Sequence, residues 1–269
     1  MVAWRTPGWA DGPLAHDRVV DRAAAHAAGP LLTLRDWLLV ALAFSAGVFD
    51  AICFLSLGKV FTAFQTGNIV FLGLIVSGTR PPAGQQPVTV LVSLAAFAAG
   101  VALAMPILRS FNGDEEVDDK DVFQVWPRRV SIALGIGLVA QAVFLAVWMT
   151  TAPSLHVSWI LVGLSAFAMG LQINAIRLLH VPGTSTTAAT ATLVSLVAGI
   201  SVRSLNLAGF RRLAGILVAI AAGAFLGDFL LSHGRAYAPL PAVLATAMVI
   251  AIATTALRSS PRRAVEVAQ

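Results

Sequence analysis

Apolar residues gather into eight segments along the chain, separated by short polar or charged stretches. The segments are 37–57, 61–78, 88–108, 130–150, 158–179, 186–202, 213–231 and 240–257. A helix that spans a bilayer needs about 20 consecutive apolar residues. The second and sixth segments are short, and each opens on small polar residues, Gln65–Asn68 and Thr184–Thr187. The pattern predicts an all-α, polytopic membrane protein with six to eight apolar segments, two of which are broken or re-entrant.

The flanks of these segments predict the division of the chain. Residues 1–30 contain no apolar run long enough for a signal-peptide core, so we expect a mobile cytosolic tail. The predicted parts are a tail over 1–34, a transmembrane domain over 35–257 with halves at about 37–150 and 158–257, an acidic loop over 110–128 and a basic tail over 258–269.

The two halves of the transmembrane domain resemble each other. Ser45-Ala46 corresponds to Ser165-Ala166, Thr66-Gly67-Asn68 to Thr190-Ala191-Thr192, and Ala99-Gly100-Val101 to Ala222-Gly223-Ala224. The offsets are 120, 124 and 123 residues, in the same order in both halves. Each match alone is within chance for Ala/Gly-rich helices. Their shared order favours an internal repeat.

Charge placement distinguishes two topologies. If all eight segments span and the N-terminus is cytosolic, 11 Lys and Arg residues lie inside and 7 outside. If the two short segments enter and return, 15 lie inside, and only Lys59, Arg80 and Arg235 lie outside. The positive-inside rule therefore favours six spans. Three spans in each half would make the repeat inverted, as in many secondary transporters.

Composition agrees with a multispanning membrane protein, and the excess of arginine over lysine, 16 to 2, fits the inner membrane of a bacterium with a GC-rich genome. The chain is 58% hydrophobic and 12% charged, whereas soluble domains average about 25% charged residues. The sequence pI near 10.6 follows from basic residues at the ends and loops, so we expect lipid and not nucleic acid as the partner. The one cysteine, Cys53, excludes an intrachain disulfide. The sequence leaves the oligomeric state open, a homo-oligomer included.

Asp50 is the acidic residue deepest in the first apolar segment. It lies 13 residues after Trp37, or about 20 Å along a helix. A charge at the bilayer centre costs roughly 2.5–3.5 kcal/mol on insertion scales. We expect Asp50 to couple a proton or cation or to pair with a basic group such as Arg177, unless it is a structural aspartate bonded to a neighbouring helix. Gly47, one turn earlier, would let a partner backbone come close.

Small polar residues begin both short segments. Thr66, Gly67 and Asn68 precede the apolar run 69–76, which predicts a helix N-cap there. Free N–H groups at such a helix start would favour an anion or a carbonyl oxygen. Thr186, Thr190 and Thr192 offer the same chemistry in the second half. The two starts would frame a small polar cavity, or they would pack as ordinary small residues between helices.

A second polar cluster lies in the fifth segment. Gln172 and Asn174 are the candidate solute-binding residues there, and Arg177 shares the face of Asn174. His, Cys and acidic residues have no metal-ligand or nucleophile spacing, and nucleotide fingerprints are absent. We therefore expect no cofactor, no metal and no enzymatic activity.

These residues resemble the YoaK family of bacterial multispanning membrane proteins, which is grouped as a domain of unknown function. The first shared motif is G-x-x-D-A-x-x-F-L-x-L-G-x-V-F-x-A-x-x-T-G-N, from Gly47 to Asn68; the second is M-G-L-Q, from Met169 to Gln172, followed by a Thr-rich run. In the family the glutamine precedes Asn-Ala directly and the later run reads T-G-T. This chain instead has Ile173 before Asn174, and Ala191 for that glycine.

The broken segments and the buried aspartate together predict a secondary transporter or facilitator of a small polar or anionic solute. Asp50 would couple transport or organise the site, and polar residues of both short segments would line it. The alternative is a non-transporting membrane scaffold or regulatory subunit, in which the same residues serve assembly.

Overall fold

The computed structural model describes residues 15–78, 85–109, 125–152, 154–179, 181, 189–201 and 207–257. Within these ranges the chain forms helices and turns and no strand. The α-helices are α1 Ala15–Ser56, α2 Gln65–Val76, α3 Pro87–Arg109, α4 Arg128–Thr150, α5 Leu155–Arg177, α6 Ala189–Ser201, α7 Leu207–His233 and α8 Leu240–Ile252. A short 3₁₀ turn, Arg235–Tyr237, precedes α8, and a π-helical turn, Ala253–Leu257, continues it.

Six of the helical segments are long and apolar enough to cross a bilayer. They are Pro30–Ser56, Pro87–Leu108, Arg128–Thr150, Leu155–Arg177, Leu207–His233 and Arg235–Leu257. The bundle exposes many large apolar side chains, such as Val139, Val218 and Phe225, which is the surface expected of a protein that faces lipid. The prediction of an all-α polytopic membrane protein is confirmed.

Helix α1 starts within the segment that the sequence assigns to a cytosolic tail, and that assignment stays a prediction. The helix begins at Ala15 and continues through Pro30 into the first span. The backbone of residues 15–34, assigned to a tail from the sequence, is therefore helical. Alanine is the strongest helix former, and residues 15–28 are rich in it. The charged residues between these alanines are typical of a solvated tail, so the sequence analysis did not predict a helix there.

Side-chain contacts give the direction of each long helix. Asp36 contacts Arg212, and further along both helices Gly227 faces Val48, so α1 and α7 run parallel. Trp159 donates to Thr89, and Asn174 donates to Val101. Helices α3 and α5 are therefore also parallel to each other.

Apolar clusters show which helix ends lie together at each end of the bundle. One cluster joins Leu38, Val130, Ile176 and Leu257, and we call the end of the bundle where it lies the arginine end. The described side chains at this end include Arg35, Arg128, Arg129, Arg177, Arg211 and Arg212. A second cluster, which joins Leu57, Phe144, Leu161 and Ala238, extends toward the opposite end. The basic side chains described at the opposite end are Lys59 and Arg235.

The two short helices do not cross the bundle. Helix α1 ends and α3 begins at the opposite end, so α2 must enter and return from there. Helix α2 has 12 residues, or about 18 Å, against a hydrocarbon thickness of about 30 Å. Helix α5 ends and α7 begins at the arginine end, so α6 returns to the end from which it starts. The prediction of two re-entrant segments agrees with this path.

Glycines bring the long helices into backbone contact in two matching places. A Cβ on Gly47 would meet the carbonyl oxygen of Ile220, and one on Gly223 would meet that of Phe44. In the other pair of helices, Gly100 faces the Phe167 carbonyl and Gly170 faces that of Phe97. Gly170 follows Gly47 by 123 residues, and Gly223 follows Gly100 by the same 123. The expectation that Gly47 admits a partner backbone is confirmed.

Candidate functional site

A sharp turn between α1 and α2 forms the centre of the candidate site. Gly58 and Lys59 have φ angles of 123° and 58°, and this left-handed backbone ends α1. Such angles favour glycine because a Cβ meets the following carbonyl, and a Cβ on Gly58 would also press on Thr89. The chain then passes through residues 60–64 without helical hydrogen bonds before α2 begins.

Asp50 supplies the acceptors that this non-helical backbone needs. Its Oδ1 accepts from the backbone N–H of Thr62 at 2.6 Å, from the Thr62 hydroxyl at 3.0 Å and from the N–H of Ala63 at 2.8 Å. Its Oδ2 accepts from the N–H of Phe64 at 3.2 Å. Each unpaired N–H in hydrocarbon would cost several kcal/mol. The carboxylate therefore holds the turn at membrane depth.

Asn68 binds the same turn from the other side. Its Oδ1 accepts from the Phe61 N–H at 3.0 Å, and its Nδ2 donates to the Phe61 carbonyl at 2.6 Å. Ser93 of α3 also donates to that carbonyl, at 2.7 Å, and Gln65 accepts from Asn68 at 2.8 Å. Asn68 is completely buried. The side-chain amide of Asn68 thus satisfies both the N–H and the carbonyl of Phe61, as a residue of a neighbouring β-strand would.

The second half of the chain reaches this network through one hydroxyl. Ser165 of α5 donates to Thr62 Oγ1 at 3.0 Å, and Thr62 in turn donates to Asp50. Both residues are buried. The Asp50 carboxylate is therefore linked, through Thr62, to the first helix of the other half.

The predicted N-cap at residues 66–68 is wrong. Helix α2 begins at Gln65, four residues before the predicted apolar run, and Phe64 is the N-cap residue, with no side-chain cap bond. Two N–H groups of the first turn bond to backbone carbonyls instead, Gln65 to Ala63 and Gly67 to Phe64, each at 3.2 Å. Thr66 is exposed, and Gly67 leaves room for the Phe61 ring. Of the predicted residues in this half, Asp50 and Asn68 converge on the turn, and Thr66 points away.

In α5 the candidate residues have different surroundings. Gln172 is 1% exposed and donates to the carbonyl of Leu42 at 3.2 Å, while its Oε1 has no hydrogen-bond partner among the described residues. Gln141 of α4 likewise has an unpaired, buried Oε1. Asn174 ties α5 to α3 through Val101 at 3.2 Å. Arg177 is exposed at the arginine end, and no ion pair joins it to Asp50 in the described part of the chain.

The threonines of α6 divide between buried and exposed positions. Thr192 is fully buried, and Thr190 is exposed. Thr186 lies outside the described residues. The structure therefore does not bring the two described threonines of the second half together. The predicted site is best described by the turn in the first half and by Gln172 in the second.

The sequence analysis did not identify three hydroxyl residues of the network as site residues. They are Thr62, Ser93 and Ser165. Single Ser and Thr residues within apolar segments are common in helix packing, so the residues gave no distinctive signal. Ser165 did stand out, but only as a repeat match with Ser45. Among the described residues, no group of three His, Cys, Asp or Glu could hold a metal ion.

Comparisons with known proteins place this architecture in a family. The family model described as "Protein of unknown function (DUF1275)" matches residues 38–253. The chain is 37% identical over 171 residues to the UPF0700 transmembrane protein YoaK of Bacillus subtilis (strain 168), covering 63% of this chain and 68% of that protein. No solved structure matches. The resemblance read from the two motifs is therefore confirmed, and the chain belongs to the DUF1275 family of YoaK-like transmembrane proteins, whose function is unknown.

Proposed function

We propose that this protein is a non-enzymatic secondary transporter or facilitator of a small polar solute. The observation that carries the proposal is the pair of re-entrant helices, α2 from the opposite end and α6 from the arginine end. Non-helical backbone at membrane depth is tolerated where protein or a wet cavity receives it. Transporters place their sites at such interrupted helices near the bilayer midplane.

The spacing of the glycine contacts supports an inverted repeat. Gly47 and Gly170 occupy equivalent helices, α1 and α5, which run in opposite directions, and the same is true of Gly100 in α3 and Gly223 in α7. Each half contributes one re-entrant helix. Alternating access in transporters works by motion of one such repeat against the other, so this arrangement is suited to the proposed activity.

The hydrogen bonds favour a solute that donates hydrogen bonds over an anion. Asp50 already accepts from the N–H groups of Thr62, Ala63 and Phe64, so these groups are not available to an anion. Outside the arginine side chains, the buried side-chain atoms that lack a hydrogen-bond partner among the described residues are acceptors, Oε1 of Gln172 and Oε1 of Gln141. A neutral solute with hydroxyl or amide N–H groups, or a small cation, would supply the missing donors.

Flux in reconstituted vesicles tests the proposal. Proteoliposomes are loaded and challenged with a panel of neutral polyols and amides, small organic cations and small organic anions of similar size. We expect donor-bearing solutes to permeate faster than anions, and Gln172→Leu to slow that permeation by about tenfold, as for the loss of a hydrogen bond worth about 1.4 kcal/mol.

The matched control for flux is Thr150→Val, an exposed residue at the end of α4, which we expect to leave permeation unchanged. Selective passage of anions would contradict the proposed chemistry. If no solute of the panel crosses in the wild-type vesicles, transport by this chain is not supported.

The arginine end is proposed to face the cytosol. Six described arginines lie there, against Lys59 and Arg235 at the opposite end, and basic residues concentrate on the cytosolic side. Single cysteines at Gln86 and Arg128, in a Cys53→Ala background, would be treated with an impermeant thiol reagent on intact cells. Labelling at 86 with protection at 128 is expected. The reverse pattern would mean that the orientation is inverted or that eight segments span.

A membrane scaffold or regulatory subunit is the second candidate function. It is favoured by the way Asp50 and Asn68 use their polar atoms within the chain. On that hypothesis Asp50→Asn lowers the amount of folded protein, a constant partner copurifies with the wild-type chain, and flux is absent from vesicles. A selective flux that Gln172→Leu reduces without loss of folded protein would exclude it.

A further inference from the structure

A separate cavity lies at the arginine end, far from the turn that Asp50 holds. It has a volume of about 320 Å³ and opens between α1 and α7. Its lining residues are Thr33, Asp36, Trp37, Val40, Leu207, Ala208, Arg211 and Arg212. None of the residues proposed to bind a solute contributes to it, so the cavity needs an explanation of its own.

One guanidinium of this cavity has no counter-ion among the described residues. Arg212 contacts Asp36 Oδ2 at 3.3 Å, and Arg35 contacts Asp36 Oδ1 at 3.4 Å. Arg211 is exposed at the mouth and has no ion pair or hydrogen bond among the described residues. Arg211 therefore gives the rim a positive charge that no described residue neutralises.

The rest of the lining is mainly apolar. Val40 lies beside Gly215, deeper in the bundle than Arg211, whereas Leu207 and Ala208 lie at the start of α7, and the indole of Trp37 is 61% exposed. Tryptophan is enriched where membrane meets water, at the level of the lipid headgroups. The cavity thus has a basic side chain at headgroup level and an apolar side chain, Val40, on its hydrocarbon side.

We propose that this cavity binds an anionic phospholipid, with the phosphate at Arg211 and an acyl chain along Val40. A guanidinium can bind phosphate oxygens in a bidentate manner, and basic pockets between transmembrane helices are typical anionic-lipid sites. A soluble phosphate would use the rim but would leave the apolar lining uncovered. The combination of rim and apolar lining therefore favours a lipid as the source of the phosphate.

Native mass spectrometry of the purified full-length protein tests this site. The detergent-solubilised protein is titrated with dioleoyl phosphatidylglycerol and with dioleoyl phosphatidylcholine, which differ in headgroup charge and share their acyl chains. We expect tighter binding of phosphatidylglycerol. Arg211→Gln should weaken it by about fivefold, as for one basic residue near a charged surface, and Arg211→Lys should retain most of the binding.

Arg128→Gln is the matched control, because Arg128 is also an exposed arginine at the same end but lies outside the cavity. It should leave phosphatidylglycerol binding unchanged, and gel filtration checks that each variant is folded. Equal affinity for the two lipids, or equal weakening by Arg211→Gln and Arg128→Gln, would overturn the proposal. Competition by inorganic phosphate that displaces the lipid completely would assign the rim to a soluble anion instead. Loss of flux in Gln172→Leu tests a different region, so the two proposals can fail separately.

Discussion

The two halves of the bundle share their helix contacts and differ in their polar groups. Gly47 and Gly223 join α1 to α7 as Gly170 and Gly100 join α5 to α3, with the same 123-residue spacing. That spacing places Ile173 where the first half has Asp50. A carboxylate that accepts from three backbone N–H groups thus has an aliphatic counterpart in the second half.

Buried polar side chains in this bundle fall into two kinds, those that satisfy non-helical backbone and those that have an unpaired atom. In the first half the polar atoms of Asp50 and Asn68 are used to satisfy non-helical backbone, because lipid offers no hydrogen bonds. Two other buried residues, Gln172 in the second half and Gln141 in α4 of the first half, have side-chain oxygens with no partner among the described residues. The first set of residues explains the stability of the turn, and the second set supplies groups that a solute could bind.

Removing the Asp50 carboxylate should have the largest effect on stability. Asp50→Ala removes the acceptor of three backbone N–H groups, two in buried residues and one in the half-buried Phe64, and each buried donor left unpaired costs roughly 1–3 kcal/mol. We expect the free energy of unfolding in detergent, measured by denaturant titration, to fall by at least about 3 kcal/mol. Ile173→Val at the equivalent position should cost only about 0.5–1.5 kcal/mol. Equal losses at the two positions would remove the distinction between the halves.

The shared glycine contacts should give the next largest effect, and it should be equal in both halves. Gly47→Ala and Gly170→Ala each force a methyl group against a helix carbonyl, which should cost about 1–3 kcal/mol by overpacking. Gly73→Ala and Gly135→Ala are matched controls, because nothing lies within 4 Å of a Cβ at either position. The stability of the four variants is measured by heating each one and then determining by gel filtration how much folded protein remains. Sensitivity of one contact alone would argue against equivalent halves.

Asn68→Ala should have a moderate effect, confined to the turn. The Phe61 N–H loses its acceptor, whereas the Phe61 carbonyl keeps the hydrogen bond from Ser93. The expected cost is therefore about 1–2 kcal/mol. Thr66→Ala, two residues away on the exposed face, should change the unfolding free energy by less than about 0.5 kcal/mol. A loss as large as that of Asp50→Ala would show that Asn68, too, holds the whole turn.

Gln141→Leu should have the smallest effect on stability. Its buried Oε1 has no partner, and a polar atom buried without a hydrogen bond costs free energy. Replacement by an apolar side chain of similar size should therefore leave the unfolding free energy unchanged within about 0.5 kcal/mol or raise it. The same denaturant titration measures this variant. A marked loss of stability would mean that Gln141 serves the structure, as Asp50 does.

Much of the architecture could be predicted from the sequence because it depends on local apolar length. The predicted segments 88–108 and 130–150 are found as Pro87–Arg109 and Arg128–Thr150. The broken segment, the aspartate and the close-approach glycine were visible as polar or small residues in apolar surroundings. The start of α1 at Ala15 was not predicted, because the charged residues between the alanines resemble a solvated tail.

The sequence by itself determined which stretches enter the membrane and which residues there need partners, since both follow from the cost of placing polar groups in lipid. Only the tertiary structure decided who those partners are. Asp50 binds residues 12 to 14 positions away, Ser165 reaches Thr62 across 103 positions, and Gly47 meets a carbonyl of α7. No local pattern encodes such pairs, because they form only when helices distant in the chain pack side by side.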